Sequence, residues 1–306
     1  MNGVPAALSA SLLWGTADFL AGRATRRHPV MLVAFIGQFA GLVALALILA
    51  FHGVDRHALA PGALSGVIGI VGVTALYSAL GLGTMSIVAP IGATSAIVPV
   101  LWGIGGGERP GPLQWAGIVL ALGGVILAAR EPSSEGSKDA RAAIRLALLA
   151  ALAIGFSLVF LDKAAAHDSL SGVAAARAVA APALAAALWW TTARASTVRP
   201  DAVVAVGAHP PAVIAEPGTV ATFAGTWPGG RTIAALAGIG LLDTAANSAF
   251  AIATTGGLLS LVAVLGGLFP VVTVALAYFL LGERLAPPQR AGVVLALIGI
   301  PLISAG

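Results

Sequence analysis

Apolar residues in this chain run together in long blocks bordered by Gly, Pro or charged positions, at 5–22, 30–51, 61–83, 86–105, 112–129, 142–161, 172–192, 231–255, 258–281 and 289–304. A helix needs about 20 apolar residues to cross the hydrocarbon of a bilayer, so these blocks predict ten transmembrane helices and an all-α polytopic membrane protein. No Lys or Arg precedes the first block, and Arg23, Arg26 and Arg27 follow it. That order predicts a retained anchor and not a cleaved signal peptide. Two polar stretches interrupt the pattern, 131–141 and 193–230. In the second, Asp201, His209-Pro210-Pro211 and Glu216-Pro217 would free backbone groups that lipid cannot satisfy, which predicts a loop.

Composition narrows the classes further. Of 306 residues, 58% are apolar and only 9% charged, against roughly a quarter charged in soluble domains. The deficit excludes an ordinary cytosolic enzyme, a disordered chain and a nucleic-acid binder. With no cysteine, disulfides, thiolate metal sites and cysteine nucleophiles are excluded together. The net charge of +4 comes from basic residues scattered through loops, where they orient the chain in the membrane. Loops after odd-numbered segments hold Arg23, Arg26, Arg27, Arg130, Lys138, Arg141, Arg145, Arg194, Arg199, Arg231, Arg284 and Arg290, whereas even-numbered loops hold only Arg56, Arg109 and Lys163. By the positive-inside rule this places the odd loops in the cytoplasm and both termini outside. Preference for Arg over Lys, with abundant Ala and Gly, points to a GC-rich bacterial genome and so to the plasma (inner) membrane.

The chain repeats itself. Gly107, Glu108, Arg109, Pro112, Gln114, Ala116, Gly117, Val119, Leu120, Ala121 and Leu122 recur in register as Gly282, Glu283, Arg284, Pro287, Gln289, Ala291, Gly292, Val294, Leu295, Ala296 and Leu297. Thr74-Ala75 and Ser78-Ala79 recur as Thr244-Ala245 and Ser248-Ala249. The chain therefore divides into a first five-segment half, 1–130, a linker, 131–141, and a second half, 142–306, which carries the loop 193–230. Five is odd, so the second copy enters from the opposite face and the halves form an inverted repeat. Pro99 precedes Glu108 by fewer residues than Pro270 precedes Glu283, which makes segment four about 6 Å shorter beyond its proline than segment nine.

The repeated pattern, a proline, an apolar run, Gly-Glu-Arg and then Pro-x-Gln-x-x-Gly, resembles the EamA family of the drug/metabolite transporter superfamily, and Trp14-Gly15 in the first segment fits it too. The resemblance covers both halves. It implies ten helices around a central cavity and a secondary carrier, often an exporter of metabolites, amino acids or drugs. It also implies cytoplasmic termini, opposite to the charge count.

An ionisable group inside hydrocarbon costs several kcal/mol unless paired or wetted, so each one is a functional candidate. Asp243 falls about 18 Å along segment eight from Arg231, near the midplane, with Asn247 one turn further on the same face. It either binds a cation or proton, or only bonds neighbouring helices. Arg177 lies a few residues inside segment seven and either reaches the depth of Asp243 or snorkels to the near interface. Asp18, one turn from the end of segment one, is expected to be neutralised by Arg23 and its neighbours, with a pathway role as the alternative. Trp14, one turn deeper, forms a cavity wall or packs.

Pro99 and Pro270 each remove a hydrogen bond to the carbonyl four residues earlier, at Ser95 and Gly266. With Thr94, Ser95 and Gly266-Gly267 these breaks would form symmetric walls of a binding site, or merely kink the helices. Gln38 and Tyr77 are mid-helix polar residues whose default is an interhelical hydrogen bond. Gly37 and Gly41, Gly62 and Gly66, and Gly103 and Gly107 have the spacing of helix-packing seams. Glu108-Arg109 and Glu283-Arg284 are expected to pair locally and clamp tight hairpins.

No phosphate-binding Gly-x-x-x-x-Gly-Lys-Ser/Thr occurs, so energy for transport must come from gradients. His28, His52, His57, His167 and His209 lack metal-ligand spacing, and neither H-E-x-x-H nor G-x-S-x-G is present. No cofactor, metal or catalytic residue is expected. The reading is a secondary active transporter of a small organic solute that works by alternating access, with Asp243 as proton or cation site. It is a monomer or homodimer in the lipid bilayer, with no nucleic-acid partner. The competing readings are a membrane enzyme acting on lipid-linked substrates, which would need clustered acidic or histidine residues at one interface, and a lipid flippase, which would need a lateral opening.

Overall fold

A computed structural model describes residues 3–82, 88, 91–92, 94–128, 138–197, 228–281 and 287–305. Its α-helices are α1 (Val4–Thr25), α2 (Val30–His52), α3 (Leu59–Leu82), α4 (Ile97–Gly105), α5 (Pro112–Ala128), α6 (Lys138–Ala165), α7 (Ser169–Thr197), α8 (Gly230–Thr255), α9 (Leu259–Gly266), α10 (Phe269–Leu281) and α11 (Pro287–Ala305). Short 3-10 turns at Arg56–Ala58 and Thr94–Ala96 lead into α3 and α4. Among the described residues seven stretches are long and apolar enough to cross a membrane, the seventh being α9 and α10 together, and three shorter apolar helices fit the remaining crossings of ten. The fold is thus all-α, as the blocks predict. Large apolar side chains such as Phe51, Phe279, Trp189 and Leu101 point outward, which suits a surface solvated by lipid. The first five residues of the expected loop 193–230 instead extend α7 to Thr197, and residues 198–227 lie outside those described.

The inversion is visible in the packing. Matching helices by the sequence repeat pairs α1 with α6, α2 with α7, α3 with α8, α4 with α9 and α10, and α5 with α11. The contact of α3 with α6 has its mate in α8 with α1, that of α3 with α7 in α8 with α2, and α2 with α7 and α5 with α11 are their own mates. At the last pair a Cβ on Gly117 would meet the carbonyl of Gly299 at 2.9 Å, and one on Gly124 would meet that of Gly292 at 2.7 Å. The repeat equates Gly117 with Gly292 and Gly124 with Gly299, so exchanging the halves maps this contact onto itself. The equivalent helices run antiparallel, and the two copies are therefore inverted.

Small residues bring the helices this close. Lipid tails are as apolar as leucine, so association depends on close packing rather than on hydrophobic burial. Gly37 and Gly41 of α2 lie against Gly240 and Thr244 of α8, and Gly62 and Gly66 of α3 against Gly172 and Ala176 of α7. Any side chain at Gly62 or Gly66 would run into the backbone of α7, whose Cα atoms at Gly172 and Ala176 would be 2.9 and 2.7 Å away. The third spacing, Gly103 and Gly107, is no seam. Gly107 has φ +106°, its N–H donates to Ile104 O, and the N–H of Glu108 donates to Gly103 O. This is the glycine-dependent way of ending a helix, with α4 stopping so that the next residue leaves at a sharp angle.

That angle gives Glu108 a different job from the one expected. It makes no ion pair with Arg109, whose Nη1 donates to the Glu108 carbonyl. The carboxylate instead reaches across to the other half, where Oε1 accepts from the N–H of Leu259 at 2.7 Å and Oε2 from that of Ser260 at 3.0 Å. These are unpaired donors at the start of α9, a site that favours negative charge. The repeated Gly282, Glu283 and Arg284 lie outside the described residues. Segment nine breaks at Gly267-Leu268, just ahead of Pro270, which sits in the first turn of α10 where its missing N–H costs nothing. Helix α4 has nine residues and α10 thirteen, the one-turn difference of about 6 Å that the sequence predicts.

Loops of the two halves also meet on the same face, the face of the even-numbered loops. The N–H of Asp55 donates to Ser171 Oγ, the rings of His57 and His167 lie 5.6 Å apart, and His52 Nε2 is 3.6 Å from Asp168 Oδ2. Asp168 also caps α7, accepting from the N–H of Ser171 at 2.7 Å. Burial alone would raise the Asp168 carboxyl, but hydrogen bonds from Ser171 and His52 outweigh it and hold the group below its ordinary 3.8.

Two stability measurements check this account of the face. Glu108→Ala should destabilise the purified protein by about 2 kcal/mol, the worth of hydrogen bonds to a charged group, and Glu108→Gln by less. Thermal unfolding followed by tryptophan fluorescence reads both. A carboxyl held lower in the folded than in the unfolded chain contributes stability above the unfolded value and loses it as pH falls through the folded one. Asp168→Ala should therefore cost about 1 kcal/mol at pH 7, and the gap to wild type should close as the pH drops below 3.8.

Candidate functional site

The glycine seams decide where the buried polar groups meet. Gln38 follows Gly37 on α2, Asp243 lies between Gly240 and Thr244 on α8, and Arg177 follows Ala176 on α7, so all three flank points of backbone contact. Arg177 is only 6% exposed. Its Nη1 donates to Gln38 Oε1 at 2.5 Å and its Nη2 to Asp243 Oδ2 at 2.8 Å. Asn247, one turn along α8, donates to Asp243 Oδ1 at 3.2 Å and to the Asp243 carbonyl at 2.8 Å. Both carboxylate oxygens of Asp243 are thus engaged. Arg177 Nε is buried with no hydrogen-bond partner among the described residues.

These groups line a cavity of about 950 Å³, its open mouth included, walled by α1, α2, α3, α6, α7, α8 and the broken segments four and nine. Its walls at Ser65, Gly69, Ser157, Leu161, Val173 and Ala263 belong to the halves of their helices nearer the even-numbered loops. Its floor holds Asp18, Gln38, Tyr77 and Asp243, each about 20 Å or more in from that face at 1.5 Å per residue. Beyond the floor lies a smaller crevice of about 220 Å³, lined by Val33, Ala34, Gly37, Ile239 and Gly240 and sharing Gln38, Tyr77 and Asp243 with the main cavity. The polar layer is a partition between two spaces.

Of the residues singled out in the sequence, Asp243, Asn247, Arg177, Asp18, Trp14, Tyr77, Ser95 and Gln38 all line the cavity. Thr94 does not, and its hydroxyl donates to the carbonyl of Ile91. Pro99 and Pro270 are buried behind the wall, while Ser95, Ala96, Gly266 and Gly267 face the space and bring the two breaks together, Gly267 being packed on Ala96. Asp18 departs from expectation. It turns inward to the cavity, and Arg23 lies over the ring of Phe19 with 5.9 Å to its centroid. Trp14 packs on Phe250, ring centroids 5.6 Å apart, and next to Gly266. Thr273 Oγ1 donates to the Gly15 carbonyl at 3.1 Å, tying α10 to α1 just below the break.

Two features were not foreseen. Ser65 and Ser157 exchange hydrogen bonds between their hydroxyls and each other's carbonyls at 2.8 and 2.9 Å in the cavity wall; the pointer in the sequence was Ser65 beside Gly66 on the glycine face of α3. The approach of His52 to Asp168 and of His57 to His167 had no local signal, since each depends on two loops far apart in sequence. Among the described residues no group of three or more His, Asp or Glu has the geometry to hold a metal ion.

The chain belongs to the EamA-like transporter family, whose family model matches residues 1–130 and 141–305. It is a multi-pass membrane protein of that drug/metabolite transporter class. No protein of curated function matches it. A crystal structure described only as that of a protein superposes with a TM-score of 0.71, covering 99% of this chain and 96% of its own, at 19% identity, a likeness of fold.

Removing one partner of a buried ion pair leaves an uncompensated charge and costs about 3–5 kcal/mol. Arg177→Met should therefore destabilise strongly, whereas Arg177→Met with Asp243→Asn should recover most of the loss. A double-mutant cycle on thermal unfolding measures the coupling, and additive losses would rule the pairing out.

Proposed function

We propose that this protein is a secondary active transporter, an exporter of small organic metabolites or drugs, that works by alternating access and couples transport to protons at the carboxylates of its polar layer. The observation that carries the reading is the partition itself: a cavity and a crevice on opposite sides of one layer of Gln38, Tyr77 and Asp243, with Asp18 on the cavity side and Arg177 reaching down to bond Gln38 and Asp243. Walls contributed by both inverted halves allow a rocking motion that opens one side as it shuts the other. The halves 1–130 and 142–306 are the moving bodies in this reading, with 131–141 as linker. Asp243, already bonded to Arg177, is the coupling group whose release or protonation would loosen the layer, and Trp14, Asn247 and Ser95 line the solute's path.

The membrane is proposed to be the bacterial plasma membrane. The charge count directs the odd-numbered loops, and so the crevice, to the cytoplasm, and turns the main cavity outward.

Two experiments test these statements. In proteoliposomes, counterflow of a transported solute should depend on a pH gradient in the wild type, and Asp243→Asn should abolish that dependence; exchange indifferent to the substitution would remove the coupling role. Because the chain has no cysteine, His57→Cys in the exposed even-numbered loop offers a single label. It should react with a membrane-impermeant maleimide in intact cells, and labelling only after lysis would reverse the orientation.

A further inference from the structure

Away from the cavity, α6 presents one outward stripe. Arg141, Arg145, Leu148, Leu152 and Phe156 are all exposed, and their spacing of three and four residues aligns them on one face of the helix. Ala143, Ala147 and Ala150 are buried in a cluster shared with α3 and α7, so the stripe faces lipid. The membrane-spanning part of α6 begins at Arg141, and Arg145 lies about 6 Å further in. An exposed arginine one turn inside a span is costly unless something answers its charge. Among the described residues neither Arg141 nor Arg145 has an ion pair, and like charges at i and i+4 repel each other. The start of the helix adds its own partial positive charge.

We infer that this corner of the bundle binds an anionic phospholipid, with the phosphodiester between Arg141 and Arg145 and an acyl chain along Leu148, Leu152 and Phe156. Guanidinium groups offer paired donors that match phosphate oxygens. From Arg145 to Phe156 the stripe runs about 16 Å, close to the roughly 15 Å of hydrocarbon in one leaflet. Helices α6 and α7 are joined by the short turn 166–168, so positions equally far from it lie at similar depth. By that count the exposed Trp189 and Trp190 of α7 stand level with Arg145, and indole rings settle at the headgroup level. A zwitterionic lipid brings an ammonium along with its phosphate and so repels the arginines it approaches. A soluble phosphate has no chain for the stripe. The corner also lacks an inverted copy: the repeat pairs α6 with α1, and no Lys or Arg precedes Arg23. The site therefore belongs to the face of the odd-numbered loops alone.

The test uses the purified full-length protein and native mass spectrometry, comparing dioleoylphosphatidylglycerol with dioleoylphosphatidylcholine, which has the same chains. The first phosphatidylglycerol should bind more tightly by roughly twentyfold, about fivefold for each arginine, and the preference should shrink as salt rises. Arg141→Gln with Arg145→Gln should bring the two lipids within about twofold of each other. Arg141→Lys with Arg145→Lys should keep part of the preference, because the charge stays and the paired geometry goes. Arg26→Gln with Arg27→Gln, on the same face at the end of α1, should leave it unchanged. If the double glutamine variant does not fold, Arg141→Gln and Arg145→Gln decide singly, each losing about fivefold. The inference falls if the wild type binds both lipids alike or if the glutamine pair keeps the full preference. It falls too if the Arg26 and Arg27 variant loses as much, which would make the preference a general effect of charge. Excess inorganic phosphate should not displace the lipid; displacement would assign the two arginines to a soluble anion and overturn the lipid site.

Discussion

A guanidinium that is 6% exposed inside a bundle surrounded by lipid has to be answered by acceptors on other helices, and much of the molecule's interior follows from that need. Arg177 on α7 finds Gln38 on α2 and Asp243 on α8, so one side chain binds three helices drawn from both halves. Hydrophobic burial could not do this, because the helices exchange lipid contacts for protein contacts of equal polarity. The glycine seams are a precondition: only where Gly37 meets Gly240 and Gly66 meets Ala176 do the backbones come close enough for the polar tips to touch. A well-packed apolar cluster would serve stability as well or better, since desolvating two charges offsets most of their attraction. What the ions add is that a bonded pair has discrete alternatives that a close-packed core lacks.

The parts of this arrangement that were legible in the sequence share a cause. Apolar block length, the Gly-Glu-Arg repeat and the small-residue spacing are one-dimensional patterns, and they yielded ten crossings, the inversion and two of the three seams. Charged residues inside apolar blocks are conspicuous for the same reason, which is how Asp18, Arg177 and Asp243 were found. Partners are another matter. Asp18 seemed close to Arg23 because they are near in sequence, but they point away from each other, one into the cavity and the other over Phe19. Glu108 likewise seemed to belong with Arg109, and binds α9 some 150 residues away. In both cases a local pair was assumed where the helix ending or helix face sends the side chain elsewhere, and only the relative placement of the two halves reveals the true neighbour.

That placement is not symmetric in its details, and the asymmetry carries information. Inverted copies alone would give two equivalent faces. Here the even-numbered loops are pinned to each other by Glu108 on α9, by Asp55 on Ser171 and by His52 near Asp168, and α4 stops a turn before its counterpart α10. The large cavity lies toward this same face. A wide space with tied loops at one end and a polar layer at the other sets the two faces of the bundle apart, and under the proposed alternating access each of these features is a bond that a second conformation would have to exchange.

The order of those exchanges follows from their surroundings. Loop ties such as His52 with Asp168 are partly exposed, where water competes and an ion pair is worth little. The layer is different. Separating Arg177 from Asp243 without replacing either charge's partner would cost several kcal/mol, enough to make the parted arrangement rare at equilibrium. A ligand or proton that changes the charge beside the layer alters that penalty directly, and it can act only through the difference in its affinity for the two arrangements. Asp18 faces the same cavity and, among the described residues, bonds to none of these groups, so its charge changes without breaking a bond of the layer.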